Sequence, residues 1–381
     1  ELYIHIPFCV RKCSYCDFLS APATEQTREA YMAALFAEIG GRAKDYSDRT
    51  VTSIFIGGGT PSLLSGEQIG QLMDRIREQF AMAQDAEITM EVNPGTASAE
   101  KLRNFYTAGI NRLSIGMQSA QAEELKNLGR IHDFEGFCQV YREAVEAGFT
   151  NINVDIMSGL PGQTLASYRD TLEKVLHLEP MPQHISAYSL IVEEGTPFAA
   201  MAERGELPLP EEETERAMYE ETIEVLAKYG FHRYEISNYA RDGYECRHNV
   251  GYWIRRDYLG FGIGAASLID NVRFQNEKSL GAYLAHPLES REEEQTLTVQ
   301  DRMEETMFLG LRLTRGVSCV DFAEQYGRTV EEVYGEVIAR NVADGLLTVT
   351  ERKENQKKDR LLALTKRGLD LSNYVMAQFL F

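Results

Sequence analysis

Three cysteines stand close together in Cys9-Val10-Arg11-Lys12-Cys13-Ser14-Tyr15-Cys16, half of the six in the chain. Thiols spaced this tightly do not pair off as local disulfides, and a tetrahedral zinc site asks for a fourth protein ligand. An iron-sulfur cube held by three thiolates needs no fourth, and it leaves one iron with an open position for a small molecule. A zinc knuckle and three unrelated buried thiols are the alternatives that spacing leaves open.

Further candidates follow along the chain. Gly57-Gly58-Gly59-Thr60-Pro61 lacks the Lys-Ser/Thr pair of a phosphate loop and the G-x-G-x-x-G spacing of a dinucleotide site. It is either a strand-to-helix turn needing positive φ or a place where bare backbone carbonyls approach an ammonium group. Glu91, Gln118, Arg130 and Asp155 are, one by one, ordinary polar residues. As a set, in this order along the chain, they say more. His248-Asn249-Val250-Gly251-Tyr252-Trp253 contains the only Trp. Spacing alone is best explained by a hydrogen-bonded loop His beside core aromatics. Cys138, Cys246 and Cys319 read as buried thiols. The other histidines, His5, His132, His177, His184, His232 and His286, are isolated and none stands at metal-ligand spacing.

Positioning these groups is the task of an α/β pattern. Alternating apolar residues predict strands over 2–7, 50–56, 87–92, 111–116, 151–156 and 184–190, the first delivering Cys9 at its carboxyl end. Helices fill the gaps, among them 25–44, one opened by a Ser65/Gln68 capping box and one running from Asp133 to Gly148. Six strand-helix units at roughly thirty to forty residues each give the rhythm of a parallel sheet or barrel, where chemistry gathers at the carboxyl ends of strands. The cysteines, the triple glycine, Glu91, Gln118 and Asp155 all fall there. Beyond Glu211-Glu212-Glu213, shorter strands over 232–237 and 258–269 extend the sheet. A composition shift at 290–294 predicts a linker. Helices over 298–313, 320–326 and 329–344 and a hairpin through 351–359 then resemble a winged helix.

With 381 residues the chain is long enough for two domains, and its 44% hydrophobic residues suffice for their cores. Lys and Arg number 39 against 58 Asp and Glu, a net charge of −19 that repels phosphate backbones, so nucleic acid is a poor partner. Cysteine usage suits a reducing compartment, and we expect a cytoplasmic protein. No stretch reaches membrane-spanning length, and association with a membrane surface is left open.

Cys9, Cys13 and Cys16 resemble the C-x3-C-x2-C loop of radical S-adenosylmethionine (SAM) proteins, in which three thiolates hold a [4Fe-4S] cluster and the open iron takes up SAM. The order of Tyr3, the cysteines, Gly58-Gly59-Thr60, Glu91, Gln118, Arg130 and Asp155 resembles that of the HemN-related family over essentially the full length. The resemblance implies a radical SAM partial TIM barrel of six βα units with extra strands (1–276) and a helical, winged-helix-like carboxy-terminal domain (277–381). It implies that Tyr3, Gly58, Gly59, Thr60, Glu91, Gln118, Arg130 and Asp155 contact SAM. Two departures from HemN are expected: Cys16-Asp17-Phe18 stands where HemN carries a further cysteine, and the long segment that HemN carries before its first strand is expected to be absent. His248, Asn249, Tyr252 and Trp253 match the HNxxYW motif that the HemW branch of the family uses in heme binding. The implied activity is a heme chaperone that passes heme to recipient hemoproteins, membrane-bound respiratory enzymes among the candidates. The alternative is a radical SAM enzyme acting on a tetrapyrrole, a coproporphyrinogen dehydrogenase or a heme-degrading enzyme.

Overall fold

The computed structural model describes residues 1–289, 291–354 and 357–380. Strand β1 (Leu2–Ile6) precedes the cysteine loop, and helix α1 (Glu25–Arg42) leads from it to β2 (Thr50–Gly58). The alternation continues through α2 (Gly66–Gln79), β3 (Ala81–Val92), α3 (Ala99–Thr107), β4 (Arg112–Gln118), α4 (Ala122–Leu128) and α5 (Phe134–Ala147). It closes with β5 (Ile152–Ser158), α6 (Leu165–Leu176) and β6 (His184–Ser189). After α7 (Pro197–Glu203) and α8 (Glu212–Lys228) come β7 (His232–Arg233), β8 (Asn238–Ala240), α9 (Arg247–Trp253) and β9 (Leu259–Phe261). Next are β10 (Ala266–Ile269), β11 (Val272–Asn276), α10 (Leu280–Ala285) and β12 (Arg291–Thr296).

Among the described residues the main sheet runs β7-β8-β6-β5-β4-β3-β2-β1-β9. Its six central strands are parallel and adjacent in chain order, as six βα units require. β9 adds to β1 in parallel, and the β7/β8 pair adds to β6 antiparallel. Period-two alternation then sorts the side chains. On β4, Leu113, Ile115 and Met117 join the apolar core, whereas Arg112, Ser114, Gly116 and Gln118 face an internal cavity. Ile152, Val154 and Ile156 against Asn153, Asp155 and Met157 repeat the division on β5.

Local signals in the sequence are met where capping chemistry is strong. Ser65 with Gln68 and Thr329 with Glu332 form reciprocal capping boxes, and Asp133 accepts the Gly136 N–H at 2.8 Å to start α5, which Gly148 ends at φ +109°. Differences from expectation are equally local. The strand expected over 232–237 is a β7/β8 hairpin, because the Glu235 carboxylate accepts from Ser237 N at 2.8 Å and Asn238 Nδ2 at 2.6 Å and turns the chain. The run 258–269 is cut into β9 and β10 by Gly262 and Gly264, both at positive φ. The histidine motif lies on a helix, α9, and not on a loop. Of the expected linker, Ser290 lies outside the described residues, and the remainder is part of β12, which pairs with β11.

A second apolar core, around Met307, Phe322 and Tyr334, belongs to α11 (Val299–Gly310), β13 (Val317–Ser318), α12 (Cys319–Tyr326), α13 (Val330–Ala343), β14 (Leu347–Glu354) and β15 (Lys357–Leu364). α14 (Lys366–Asp370) and α15 (Ser372–Ala377) complete it. The hairpin expected through 351–359 is β14/β15, with residues 355–356 outside the described set, and β13 pairs on β15 to give the small sheet of a winged helix. No helix of the described residues is long and apolar enough to cross a membrane.

One buried carboxylate fastens the sheet extension to the barrel. Glu38 on α1 has no solvent exposure; it accepts from Gly262 N at 2.9 Å, Asn276 Nδ2 at 2.7 Å and Tyr283 Oη at 2.6 Å, and it pairs with Arg42 at 2.8 Å. Burial still raises its pKa, against the pull of Arg42 and the donors. Removing one partner of such a pair strands the other charge in the interior. Glu38→Ala is therefore expected to lower the unfolding free energy by about 3–5 kcal/mol, read from urea denaturation with an unchanged m-value. A loss below about 1 kcal/mol shows that the cluster is not the fastening.

Candidate functional site

The carboxyl ends of β1 to β6 surround a cavity of about 340 Å3. Cys9, Cys13 and Cys16 line one side, each partly exposed and none in a disulfide. Their loop is held at both ends and in the middle. Cys9 N donates to Ala21 O at 3.1 Å, and Ala21 N to Pro7 O at 3.0 Å. Ser14 N reaches Leu128 O at 3.0 Å, and Arg11 Nη2 reaches Gly129 O at 2.8 Å, so the end of α4 clamps the loop. His5, isolated in the sequence, bonds Tyr3 Oη through Nδ1 at 3.0 Å and Leu19 O through Nε2 at 2.8 Å, tying β1 to the loop's exit. Burial lowers its pKa and keeps it neutral.

Two sulfurs receive hydrogen bonds, the kind of support a thiolate needs. Thr60 Oγ1 donates to Cys9 Sγ at 3.4 Å, and Arg130 Nη1 to Cys13 Sγ at 3.8 Å. Among the described residues no three His, Cys, Asp or Glu side chains converge closely enough to hold a single metal ion.

The triple glycine has a packing role before any ligand is considered. Gly59 N donates to Ile6 O at 2.9 Å and Thr60 N to Phe8 O at 2.7 Å. A Cβ at Gly59 would meet Phe8 O at 2.7 Å and Ile6 O at 2.8 Å, and one at Gly58, whose φ is +109°, would meet the His5 ring at 2.4 Å. Gly58, Gly59 and Thr60 all reach the cavity.

Glu91, Gln118, Arg130 and Asp155 converge on the same cavity. Glu91 accepts from Gly58 N at 3.0 Å, and its carboxyl is pushed up to about 8, chiefly by burial and then by the Asp155 charge. Gln118 stands at φ +69° beside a register shift, a bulge that turns its side chain at the strand end. Arg130 is committed to the scaffold: besides Cys13, it holds Gly116 O through Nη2 at 2.7 Å. Asp155 accepts from Asn153 Nδ2 at 2.7 Å and Ser114 Oγ at 3.2 Å, and burial raises its pKa. Tyr3 does not reach this cavity. It lies on a neighbouring cavity of about 420 Å3, which shares Phe18, Gly58 and Glu91 with the first.

The four residues of the α9 motif separate into different surroundings. Asn249 lines the main cavity, and Tyr252 the neighbouring one. His248 is buried, 1% exposed, stacked on Phe55, with Nδ1 bonded to Ser53 Oγ at 2.9 Å and Nε2 to Tyr252 Oη at 3.3 Å. Burial pushes its pKa down to about 3, so it is a neutral imidazole. Trp253 packs with Tyr234, Ala240 and Leu313 in a small separate cluster, with the Arg312 guanidinium 4.3 Å from its ring centre.

Inward-facing residues that the sequence reading passed over also line the cavity: Arg112, Ser114, Asn153 and Ser186. The alternation in Arg112-Leu113-Ser114-Ile115-Gly116-Met117-Gln118 carried the signal, since a buried strand with every second residue polar must face a polar interior.

Residues 3–175 match the model of the radical SAM superfamily, and residues 297–371 that of the HemN C-terminal domain. The chain is 38% identical to the heme chaperone HemW of Bacillus subtilis (strain 168), over 99% of this chain and 98% of that one. To the HemW of Escherichia coli (strain K12) it is 37% identical, over 91% of each. Coproporphyrinogen III oxidase HemN from Escherichia coli, described as a radical SAM enzyme, superposes with a TM-score of 0.85 at 28% identity, covering 100% of this chain and 89% of that one. A radical SAM barrel, a HemN-type carboxy-terminal domain and this identity over nearly the whole length agree: the chain belongs to the HemW family of radical SAM proteins.

Proposed function

We propose that this protein is a heme chaperone that holds a [4Fe-4S] cluster on Cys9, Cys13 and Cys16 and SAM in the adjoining cavity, binds heme and hands it to recipient hemoproteins. The observation that carries the reading is the convergence of three unpaired cysteines with Gly58, Gly59, Thr60, Glu91, Gln118, Arg130 and Asp155 on one cavity. When bound, the cluster supplies an electron to SAM. The chain's own residues position and compensate: Glu91 and Asp155 offer carboxylates to an ammonium and a ribose, and Thr60 and Arg130 stabilise thiolates. Tyr3 acts on this ligand from the adjoining cavity, through the wall formed by Gly58 and Glu91. Two units, expected at 1–276 and 277–381, are supported by the separate core around Met307 and Phe322, but Tyr283 of α10 packs in the barrel core and β12 pairs with β11, so we place their boundary after β12.

The heme reading rests on the relatives' names and on α9. Asn249 and Tyr252 reach cavities, and neutral His248 is in the form that ligates iron. To do so it has to give up Ser53 or Tyr252, so heme uptake includes a local rearrangement of α9. Recipients include membrane-bound respiratory enzymes, met at the membrane surface.

The likeness to HemN favours a second reading, catalysis on a tetrapyrrole. With anaerobically reconstituted protein, SAM and reductant, the chaperone reading expects coproporphyrinogen to remain unchanged, and its conversion to protoporphyrinogen sinks that reading. For heme, a titration followed at the Soret band is expected to show a shifted band and weaker binding in His248→Ala; an identical spectrum and affinity exclude His248 as a ligand. A further outcome follows from Glu91, whose carboxyl is protonated at neutral pH. A cationic ligand favours the ionised form, so SAM binding releases a proton and tightens as pH rises toward about 8, by at most tenfold per unit. Calorimetry in buffers of different ionisation enthalpy measures the release. Glu91→Gln should abolish it, and a release that persists in that variant assigns the proton elsewhere.

A further inference from the structure

Arg112 opens β4 at the inner end of the cavity and is 2% exposed, yet it lines the cavity wall. A guanidinium presents five N–H donors in a planar fork. Here one long hydrogen bond is made, from Nη1 to Thr89 Oγ1 at 3.5 Å, and Nε has no partner. No carboxylate among the described residues forms an ion pair with it. Two acidic groups influence it from nearby, Glu87 and Asp155, but both are satisfied by neutral donors. Glu87 accepts from Cys246 Sγ and from the backbone N–H groups of Arg247 and His248. Asp155 takes Asn153 and Ser114.

Arg130, the cation expected to hold a ligand's carboxylate, spends both terminal nitrogens on Gly116 O and Cys13 Sγ. Arg130 keeps only its buried Nε without a partner, whereas Arg112 makes one long hydrogen bond in all, and Asn249 of α9 adds an amide to the same cavity. A buried cation with most of its donors unused is costly unless something occupies them.

We propose that Arg112, assisted by Asn249, is the seat for a carboxylate group carried by the ligand of this cavity. The inference rests on the functional reading above, and both ligands named there carry the required chemistry: SAM has one carboxylate, heme two propionates. The planar fork accepts a carboxylate through two parallel hydrogen bonds, which a lysine cannot reproduce. Through Asn249, an occupied seat also touches the helix that carries His248.

The test compares each ligand with its carboxylate-free analogue on the anaerobically reconstituted full chain: SAM against decarboxylated SAM, and heme against heme dimethyl ester. Wild-type protein is expected to prefer one parent over its analogue by roughly ten- to hundredfold, the range for a charge-assisted hydrogen bond. Arg112→Gln removes that preference and leaves the analogue's affinity unchanged, Arg112→Lys restores only part of it, and Asn249→Ala weakens it less than Arg112→Gln. The pair in which the preference disappears identifies the source of the carboxylate. Equal binding of parent and analogue by the wild type, in both pairs, overturns the proposal without reference to any variant's folding. So does a preference that survives in Arg112→Gln, which leaves Arg112 as a counter-charge to Glu87 and Asp155. Wild-type protein that takes up neither SAM nor heme overturns the functional reading and this inference together.

Discussion

A polar side chain pointing into a barrel finds little water, so whatever β4, β5 and β6 send inward has to be answered from another strand. That demand organises the lower half of the molecule. Asn153 donates to Asp155 and accepts from His184 Nδ1 at 2.6 Å; His184 Nε2 accepts from Tyr234 Oη at 2.9 Å; and that hydroxyl accepts from Cys246 N, the cap of α9, at 3.3 Å. The chain of bonds fixes the imidazole tautomer and joins the cavity to α9 without a charged intermediate, since burial holds His184 neutral. Removing any one member leaves its neighbours unsatisfied, which is what makes such networks specify a single arrangement.

Desolvation sets the direction at the carboxyls and the imidazole of this interior, whereas at Arg112 it is outweighed by the summed attraction of Cys246, Glu87, Tyr234 and Asp155. Glu91 and Asp155 move up and His248 moves down, each with burial as the largest cause. The site thus rests closer to neutral than its composition suggests, in a chain whose surface carries a strong net negative charge. A zwitterionic ligand entering such a cavity meets groups that change protonation to suit it, where permanently charged groups would have to be paired in advance.

Much of this could be read in advance because the βα rhythm and the Cys9–Cys16 spacing are strong, local signals. The carboxyl ends of the six strands agree with expectation to within two residues, although β3 begins six residues earlier than expected, and Glu91, Gln118, Arg130 and Asp155 share the cavity with the cysteines. What escaped depends on tertiary geometry. Tyr3 lies one cavity away, its ring packed on Phe55 of β2 and beside His5 of its own strand, with Gly58 and Glu91 lining both cavities. The role of His5 as a clamp on Leu19 has no sequence signature, since a lone His in a strand looks the same whether or not a loop returns to it. Arg112 was legible only to a reading that treats a polar residue on a buried strand as deliberate. His248 illustrates the opposite case: spacing pointed to a hydrogen-bonded imidazole, family likeness to a ligand, and the coordinates present a histidine whose two nitrogens are both engaged.

Helix α9 is seven residues long, and its inward-facing residues are divided among several surroundings. Cys246 and His248 answer to the barrel floor, Asn249 to the cavity, Tyr252 to the aromatic cavity beside it, and Trp253 to Leu313 and to Arg312 just past α11, itself 3.7 Å from Glu235. Each replacement along this helix is therefore judged by a different neighbourhood, and no neighbourhood can drift alone. The segment acts as an alignment key between two bodies that could otherwise diverge at separate rates, and its sequence is expected to change only in concert with both.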